Sequence, residues 1–188
     1  MASLHLHLPL PFAVILLVFS GVNADLLHTT CKLTGVHNDL CLQILSGNPK
    51  SKTADTHSLA SIALDAATKA MVSTSEEVLR LADRTPVHDD ELSQCFQDCE
   101  EEYEDAVQQL EQSRLSMDEK EYQEVIMFVE AAMGDVKACQ EGCQTVPGHK
   151  NVLTKQNKHV SQICSITLTL TKLLQADQSH QQTLNTHH

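Results

Sequence analysis

Cys95 and Cys99 stand four residues apart, and so do Cys139 and Cys143, each pair inside a stretch whose apolar residues recur every three or four positions. Residues four apart share one face of a helix. In two such helices packed antiparallel, the earlier cysteine of one meets the later cysteine of the other. The pairing is then nested, Cys99 with Cys139 and Cys95 with Cys143. Two bridges one turn apart would fix both the direction and the register of the helices. Two competing readings stay open at this point: four thiolates holding zinc, which the lack of a short knuckle spacing disfavours, and cysteines left unpaired or paired between chains.

The start of the chain bears on which of these applies. Met1 to Ala24 carries no Asp, Glu, Lys or Arg, and holds an apolar run from Pro9 to Phe19 followed by Ser20, Gly21, Val22, Asn23 and Ala24. Val22 and Ala24 fit the small-residue cleavage pattern of a signal peptide, which predicts a signal segment at 1–24 and a mature start at Asp25. The run is short for a bilayer span, and a short membrane anchor is the alternative. Export places the chain in an oxidising, extracellular compartment where thiols become disulfides.

All 13 Lys/Arg and all 25 Asp/Glu follow the signal segment, so the net charge of −12 belongs to the mature chain. That balance excludes nucleic acid and anionic membrane surfaces as expected partners and suits a basic protein partner. With six Gly, five Pro, 3% aromatics and no Trp, an all-β domain is disfavoured.

Breaks fall at Gly47-Asn48-Pro49, at Pro86, at Ser113 to Met117 and at Pro147-Gly148. Between them lie four long periodic segments. The first spans about Thr56 to Ala82, with an apolar stripe of Leu59, Ile62, Ala63, Ala66, Ala70, Val78 and Leu81. The second starts near Pro86 with Thr85 as its cap, and has the stripe Leu92, Phe96, Cys99, Tyr103, Ala106 and Leu110. The third starts at Ser116, which with Glu119 matches a capping box. Its stripe is Tyr122, Ile126, Val129, Met133, Val136 and Cys143, flanked by Val125, Ala132 and Cys139. The fourth, about Thr154 to Gln175, alternates Ile166, Leu168 and Leu170 with Thr167, Thr169 and Thr171 in the manner of a strand. Val160, Ile163, Thr167, Leu170 and Leu174 equally make a helix stripe, and a lone strand would have no sheet to join.

The expected fold is therefore all-α, an up-down-up-down four-helix bundle held by disulfides. An N-terminal α-hairpin at 25–47 precedes the bundle at 53–176, and a polar disordered tail follows at 177–188. Cys31 and Cys41, ten apart, suit a hairpin closed on itself. Cys164, beside Ile163, is the odd cysteine and reads as a buried, inert thiol. No glycine-rich phosphate loop, nucleophile elbow or His pair at metal spacing occurs, so no catalytic residue, metal site or cofactor is expected.

Taken in order, these residues resemble the plant invertase/pectin methylesterase inhibitor family. The likeness begins with Cys31 to Cys41 and Asn48-Pro49-Lys50-Ser51. It continues through Cys99, Tyr103, Asp105, Ala106, Val107 and Leu110, and closes with Val129, Ala131, Ala132, Met133, Cys139 and Gly142. The stretch from Asn48 to Asp55 and the ending Ile166 to Leu174 look closest to the family's pollen-allergen branch. The resemblance implies a four-helix bundle with an N-terminal hairpin and two disulfides, which carry over to Cys31–Cys41 and Cys99–Cys139. It further implies a secreted, apoplastic, non-enzymatic inhibitor that occludes the cleft of pectin methylesterase or invertase, as a monomer in a 1:1 complex. The chain departs from the family pattern at Cys95 and Cys143, which would form an added bridge, and at Glu130, where members often carry a small hydroxyl residue.

The run Glu100, Glu101, Glu102, Glu104 and Asp105 could present carboxylates to a basic pectin-binding groove. The Pro-Lys-Phe element of invertase-directed members is missing, which favours pectin methylesterase as the target. Glu101, Asp105 and Gln108 on the second helix, with Glu124, Met127 and Phe128 on the third, are the expected target-binding residues. Phe128 among acids is a plausible anchor. The alternatives are inhibition of cell-wall or vacuolar invertase, and an interaction or carrier protein that keeps the fold without the inhibition.

Overall fold

The computed structural model describes residues 26–186, so the expected signal segment lies outside the described residues. Helix α1 covers 26–32. It is followed by α2 (Asn38–Ser46), α3 (Thr56–Ala82), α4 (Asp90–Asp118), α5 (Tyr122–Gln144) and α6 (Thr154–Thr186), with short 3-10 turns at Gly35–His37 and Pro49–Thr53. No strand occurs among the described residues. The order of packing is cyclic: α3 lies against α4 and α6, and α5 lies against the same two helices from the other side. α1 and α2 form a hairpin closed by a Cys31–Cys41 disulfide with Cα atoms 5.5 Å apart. This hairpin leans on α3 and α6 through α2.

Each helix start has a physical cause. Asn48 caps the 3-10 turn after α2, its side chain accepting from the Lys50 amide at 3.0 Å. Asp55 caps α3 by accepting from the Ser58 amide at 2.8 Å. The bonds from Ser58 hold its carboxyl below the usual range. A carboxylate whose folded pKa is lowered stabilises above its unfolded pKa, and the benefit fades as acid protonates it. Asp55→Ala should therefore cost about 1 kcal/mol at neutral pH. Denaturant titrations repeated down to acid should show the gap between variant and parent closing.

The second expected helix begins later than the Thr85-Pro86 reading has it. Thr85 instead closes α3, its hydroxyl donating to the Leu81 carbonyl at 2.9 Å. Pro86 opens a turn in which the Asp89 amide reaches the Pro86 carbonyl, and Asp89 caps α4 by accepting from the Leu92 amide. The break expected at Ser113 to Met117 does not exist either, because α4 continues to Asp118. Ser113 and Ser116 are buried toward α5 rather than exposed at a helix end. Ser113 donates to the Val125 carbonyl and Ser116 to the Glu124 carboxylate, so the capping-box reading of Ser116 and Glu119 fails. The helix ends where Lys120 takes a left-handed φ of 61°, a conformation that a residue with a Cβ adopts only against a steric cost.

The fourth segment is helical, and its threonines explain why it also resembles a strand. Thr167, Thr169 and Thr171 each donate to the carbonyl four residues back, so every hydroxyl is satisfied within the helix. The segment expected to be disordered from 177 is helical to Thr186. No Gly or Pro follows Gly148 to stop it, and the Ser179 and Thr183 hydroxyls bond back in the same way.

The core lies between α3, α4, α5 and α6. All six residues of the expected α4 stripe are buried. On α5 the expected flank of Val125, Ala132 and Cys139 is buried, whereas Met133 is only partly so. On α3 the buried line runs through Ala60, Leu64, Ala67 and Met71, rotated from the Ala66–Ala70 line. One polar network crosses this core. The Tyr103 hydroxyl donates to Asn157 Oδ1 at 2.7 Å, and Asn157 Nδ2 donates to Gln140 Oε1 at 3.0 Å. Gln140 in turn donates to Thr154 Oγ1 at 3.1 Å, so α4, α5 and α6 are tied at one level. Tyr103 is fully buried, and burial pushes its hydroxyl pKa well up, keeping it a donor.

The carboxylate face of helices α4 and α5

Three contacts set the register of α4 against α5. Disulfides join Cys95 to Cys143 and Cys99 to Cys139, with Cα separations of 5.1 and 4.6 Å. Ser113 meets the Val125 carbonyl about four turns farther along. In all three pairs the residue numbers add to 238, so the helices run antiparallel with no slip over most of their shared length. The Cys99 and Cys143 sulfurs, from different bridges, are 3.4 Å apart. The sulfurs of Cys95, Cys99 and Cys143 lie within 4.8 Å of one another. As disulfide sulfurs they are not thiolates, and a zinc ion would need thiolates. Cys164 is unpaired and buried on α6, and burial pushes its thiol up to about 12, which leaves no thiolate for reaction near neutral pH.

This register determines which expected binding residues share a surface. Glu101, Asp105 and Gln108 are exposed on α4. Asp105 belongs to a carboxylate cluster at the α4–α5 seam that also contains Glu102 and Asp135. Phe128 is half-buried on α5 and level with Leu110. Glu124 is exposed one turn farther along and accepts from Ser116 at 3.0 Å. Met127 is 53% exposed, level with Glu111. The outer face of the α4–α5 pair thus has a carboxylate half around Asp105 and a more apolar half around Phe128 and Met127. Glu101 and Gln108 point farther from the seam, on the back of α4. Glu130 forms an ion pair with Lys172 of α6 at 2.9 Å and stands outside this face.

Two members of the cluster were not singled out from sequence, Asp98 and Asp135; Glu102 was named there only within the acidic run Glu100 to Asp105. Asp98, Glu102 and Asp105 fall at helical spacing on one flank of α4, a pattern the sequence does contain. Asp135 joins them only through the register, which sets it beside Glu102. Burial raises the Glu102 pKa, and the nearby charges of Asp135, Asp105, Asp98 and Glu101 add to the rise. Burial and Asp105 raise Asp135 in the same direction, and its Oδ2 is buried without a partner.

The sign of the linkage follows. A carboxyl whose folded pKa is raised makes the native state bind more protons, so stability falls as pH rises through the folded value. At neutral pH the cluster costs stability. Glu102→Gln should therefore stabilise the chain at pH 7 by about 0.5 kcal/mol, the scale of exposed charge interactions. Thermal melts across pH should show the gain shrinking as acid protonates the parent cluster. A gain that grew toward acid would contradict the assignment.

The outer face of this disulfide-locked helix pair thus sets like charges, some exposed and some half-buried, beside a half-buried Phe. The family model described as "Plant invertase/pectin methylesterase inhibitor" matches residues 25–170. A Platanus acerifolia protein named "Putative invertase inhibitor" is 29% identical over 170 residues, covering 88% of this chain and 94% of the relative. The "Pectinesterase inhibitor" of Actinidia deliciosa is 25% identical over 135 residues, covering 72% of each. The crystal structure of a mutant form of a pectin methylesterase inhibitor from Arabidopsis superposes with a TM-score of 0.64 at 20% identity, covering 77% of this chain and 93% of that one. That likeness supports the fold. The chain belongs to the plant invertase/pectin methylesterase inhibitor family, whose members are protein inhibitors of those enzymes and not enzymes themselves.

Proposed function

We propose that this chain is exported, loses residues 1–24, and acts in the cell wall as a monomeric inhibitor of pectin methylesterase. It forms a 1:1 complex in which the outer α4–α5 face covers the enzyme's cleft. The observation that carries this reading is the cluster of Asp98, Glu102, Asp105 and Asp135, four carboxylates on one rigid face. An enzyme that releases carboxylates along a polysaccharide needs a groove tolerant of negative charge, and this face offers that charge in a fixed array. Phe128 supplies the apolar contact beside it. The stretch from Asn48 to Asp55 favours placement in the pollen-allergen branch. Among the described residues no helix is long and apolar enough to cross a membrane.

Invertase is the second reading, favoured by the name of the Platanus relative and disfavoured by the missing Pro-Lys-Phe element. Titration of the mature chain against pectin methylesterase and, separately, invertase at mildly acidic pH decides between them. Stoichiometric loss of pectin methylesterase activity that weakens with added salt is the expected result. Inhibition of invertase alone would transfer the assignment, and inhibition of neither across several isoforms would leave a binding or carrier role.

A further inference from the structure

Most of the acidic charge of the chain lies in one stretch. Residues 89–141, which hold α4 and most of α5, carry 17 of the 25 acids and only three of the 13 Lys/Arg. Residues 142–176 hold no acid at all, but four lysines and two histidines. Lys155, Lys158 and His159 are exposed on the first two turns of α6, and Lys150 is exposed in the loop before it. Their spacing of three and four residues puts the helical three on one ridge. Neighbouring cations are already engaged: Lys137 by Glu141 at 3.4 Å and His149 by Asp89 at 3.2 Å. Lys150, Lys155 and Lys158 meet no carboxylate within ion-pair distance among the described residues.

The placement also opposes the ordinary electrostatics of a helix. The N-terminus of a helix carries positive partial charge and favours acids in its first turn. α4 has Asp90 and Glu91 there and α5 has Glu124, but α6 has no acid and has Lys155 instead. A cation-only helix start costs stability unless an anion covers it. The nearest carboxylates are already engaged: Glu77 of α3 lines the same groove as Lys155 and His159 but pairs with Arg80, and Asp89 at the start of α4 pairs with His149.

We propose that the ridge of Lys150, Lys155, Lys158 and His159 docks a polyuronate chain, the carboxylated polysaccharide left when pectin loses its methyl esters. The choice of polyuronate among polyanions rests on the pectin methylesterase reading above. The ridge has no aromatic residue to stack on a sugar face, so recognition is by charge. The inhibitor would then be held on de-esterified wall regions by α6 while the α4–α5 face stays free for the enzyme.

The test uses the mature chain alone, in native gels cast with polygalacturonate, with fully methyl-esterified pectin or with dextran sulfate, each read against a polymer-free gel. Retardation by polygalacturonate and not by the ester is expected, and it should vanish at high salt. Lys155→Glu combined with Lys158→Glu should weaken the interaction about tenfold, from two exposed charge contacts of somewhat under 1 kcal/mol each. Lys69→Glu, on α3, should leave it unchanged. Equal retardation by the ester, an unaffected double variant, or dextran sulfate retarding less than polygalacturonate despite its denser charge would each overturn the proposal. Because no enzyme is present, the outcome is independent of inhibition. A chain that inhibits without binding retires this proposal alone, and one that binds without inhibiting retires the inhibitor reading alone.

Discussion

Replacing Cys95, Cys99, Cys139 and Cys143 together by Ala should lower the unfolding free energy by about 6.5 kcal/mol, although removing either pair alone costs only about 2.5 kcal/mol. The inequality follows from nesting. The Cys99–Cys139 bridge spans 40 residues and, by itself, removes about 4 kcal/mol of loop entropy from the unfolded chain. Once it is in place, joining Cys95 to Cys143 closes a ring of only about ten residues and adds less than 3 kcal/mol. Whichever bridge is removed, the survivor still closes the long loop, so each single deletion reads as the small increment. Removing both gives up the large one as well. Against a native stability of about 5–15 kcal/mol, a loss of that size is enough to leave part of the population unfolded. Urea denaturation of the three variants checks this, and additive losses would show that the bridges do not act through a shared loop. The pairs must be removed as pairs. Cys95→Ala alone leaves the Cys143 thiol 3.4 Å from Cys99. Its thiolate can attack the Cys99 sulfur, form Cys99–Cys143 and release Cys139 as thiolate, with no oxidant consumed. Peptide mapping of that variant should find both crosslinks.

How much of this was legible in the sequence depended on residue size and on whether a helix had a partner. The α4 stripe could be read directly, because Phe96, Tyr103 and Leu110 are large and recur at bundle spacing. The α3 stripe was legible at Leu59, Ile62, Ala63 and Val78, which are buried, but its middle was not: Ala66, Ala67 and Ala70 are equally small and do not mark a face, and the buried line there runs through Leu64, Ala67 and Met71. Ser113 to Met117 looked like a boundary because two serines fall close together, yet both are buried and bonded to α5. The true boundary at Lys120 has a left-handed backbone without the glycine that usually announces one. The last turns of α6 lost their periodicity because they are exposed, with no neighbour to select apolar residues, and not because they lack helix. The expected target-binding residues were read one helix at a time. Of them Asp105 belongs to the carboxylate cluster, whose extent required the α4–α5 register, since Asp135 is 33 positions from Glu102 in the chain and reaches it only across the seam.

Asp105→Lys should move stability and inhibition in opposite directions. Asp105 adds to the charge that raises both Glu102 and Asp135, so replacing it by a cation turns two repulsions into attractions. Gains at exposed sites are modest, about 1 kcal/mol in total, or 2–4 °C in Tm for a chain of this length. If the α4–α5 face is the binding face, the same change puts a cation where the enzyme receives a carboxylate, and a like charge at the centre of an interface costs several kcal/mol. Inhibition should weaken by about a hundredfold, chiefly through faster dissociation. Phe128→Ala on the parent chain should cost a comparable factor by removing the apolar anchor, with a small loss of Tm because that ring is only half-buried. Glu76→Lys, an exposed reversal on α3, should leave inhibition unchanged. A destabilised fold cannot explain a variant that melts higher and inhibits less, so that combination separates a binding role for the cluster from a structural one. Unchanged inhibition in Asp105→Lys would remove the α4–α5 face from the complex. The repulsion among these carboxylates would then be a cost of folding with no function to account for it.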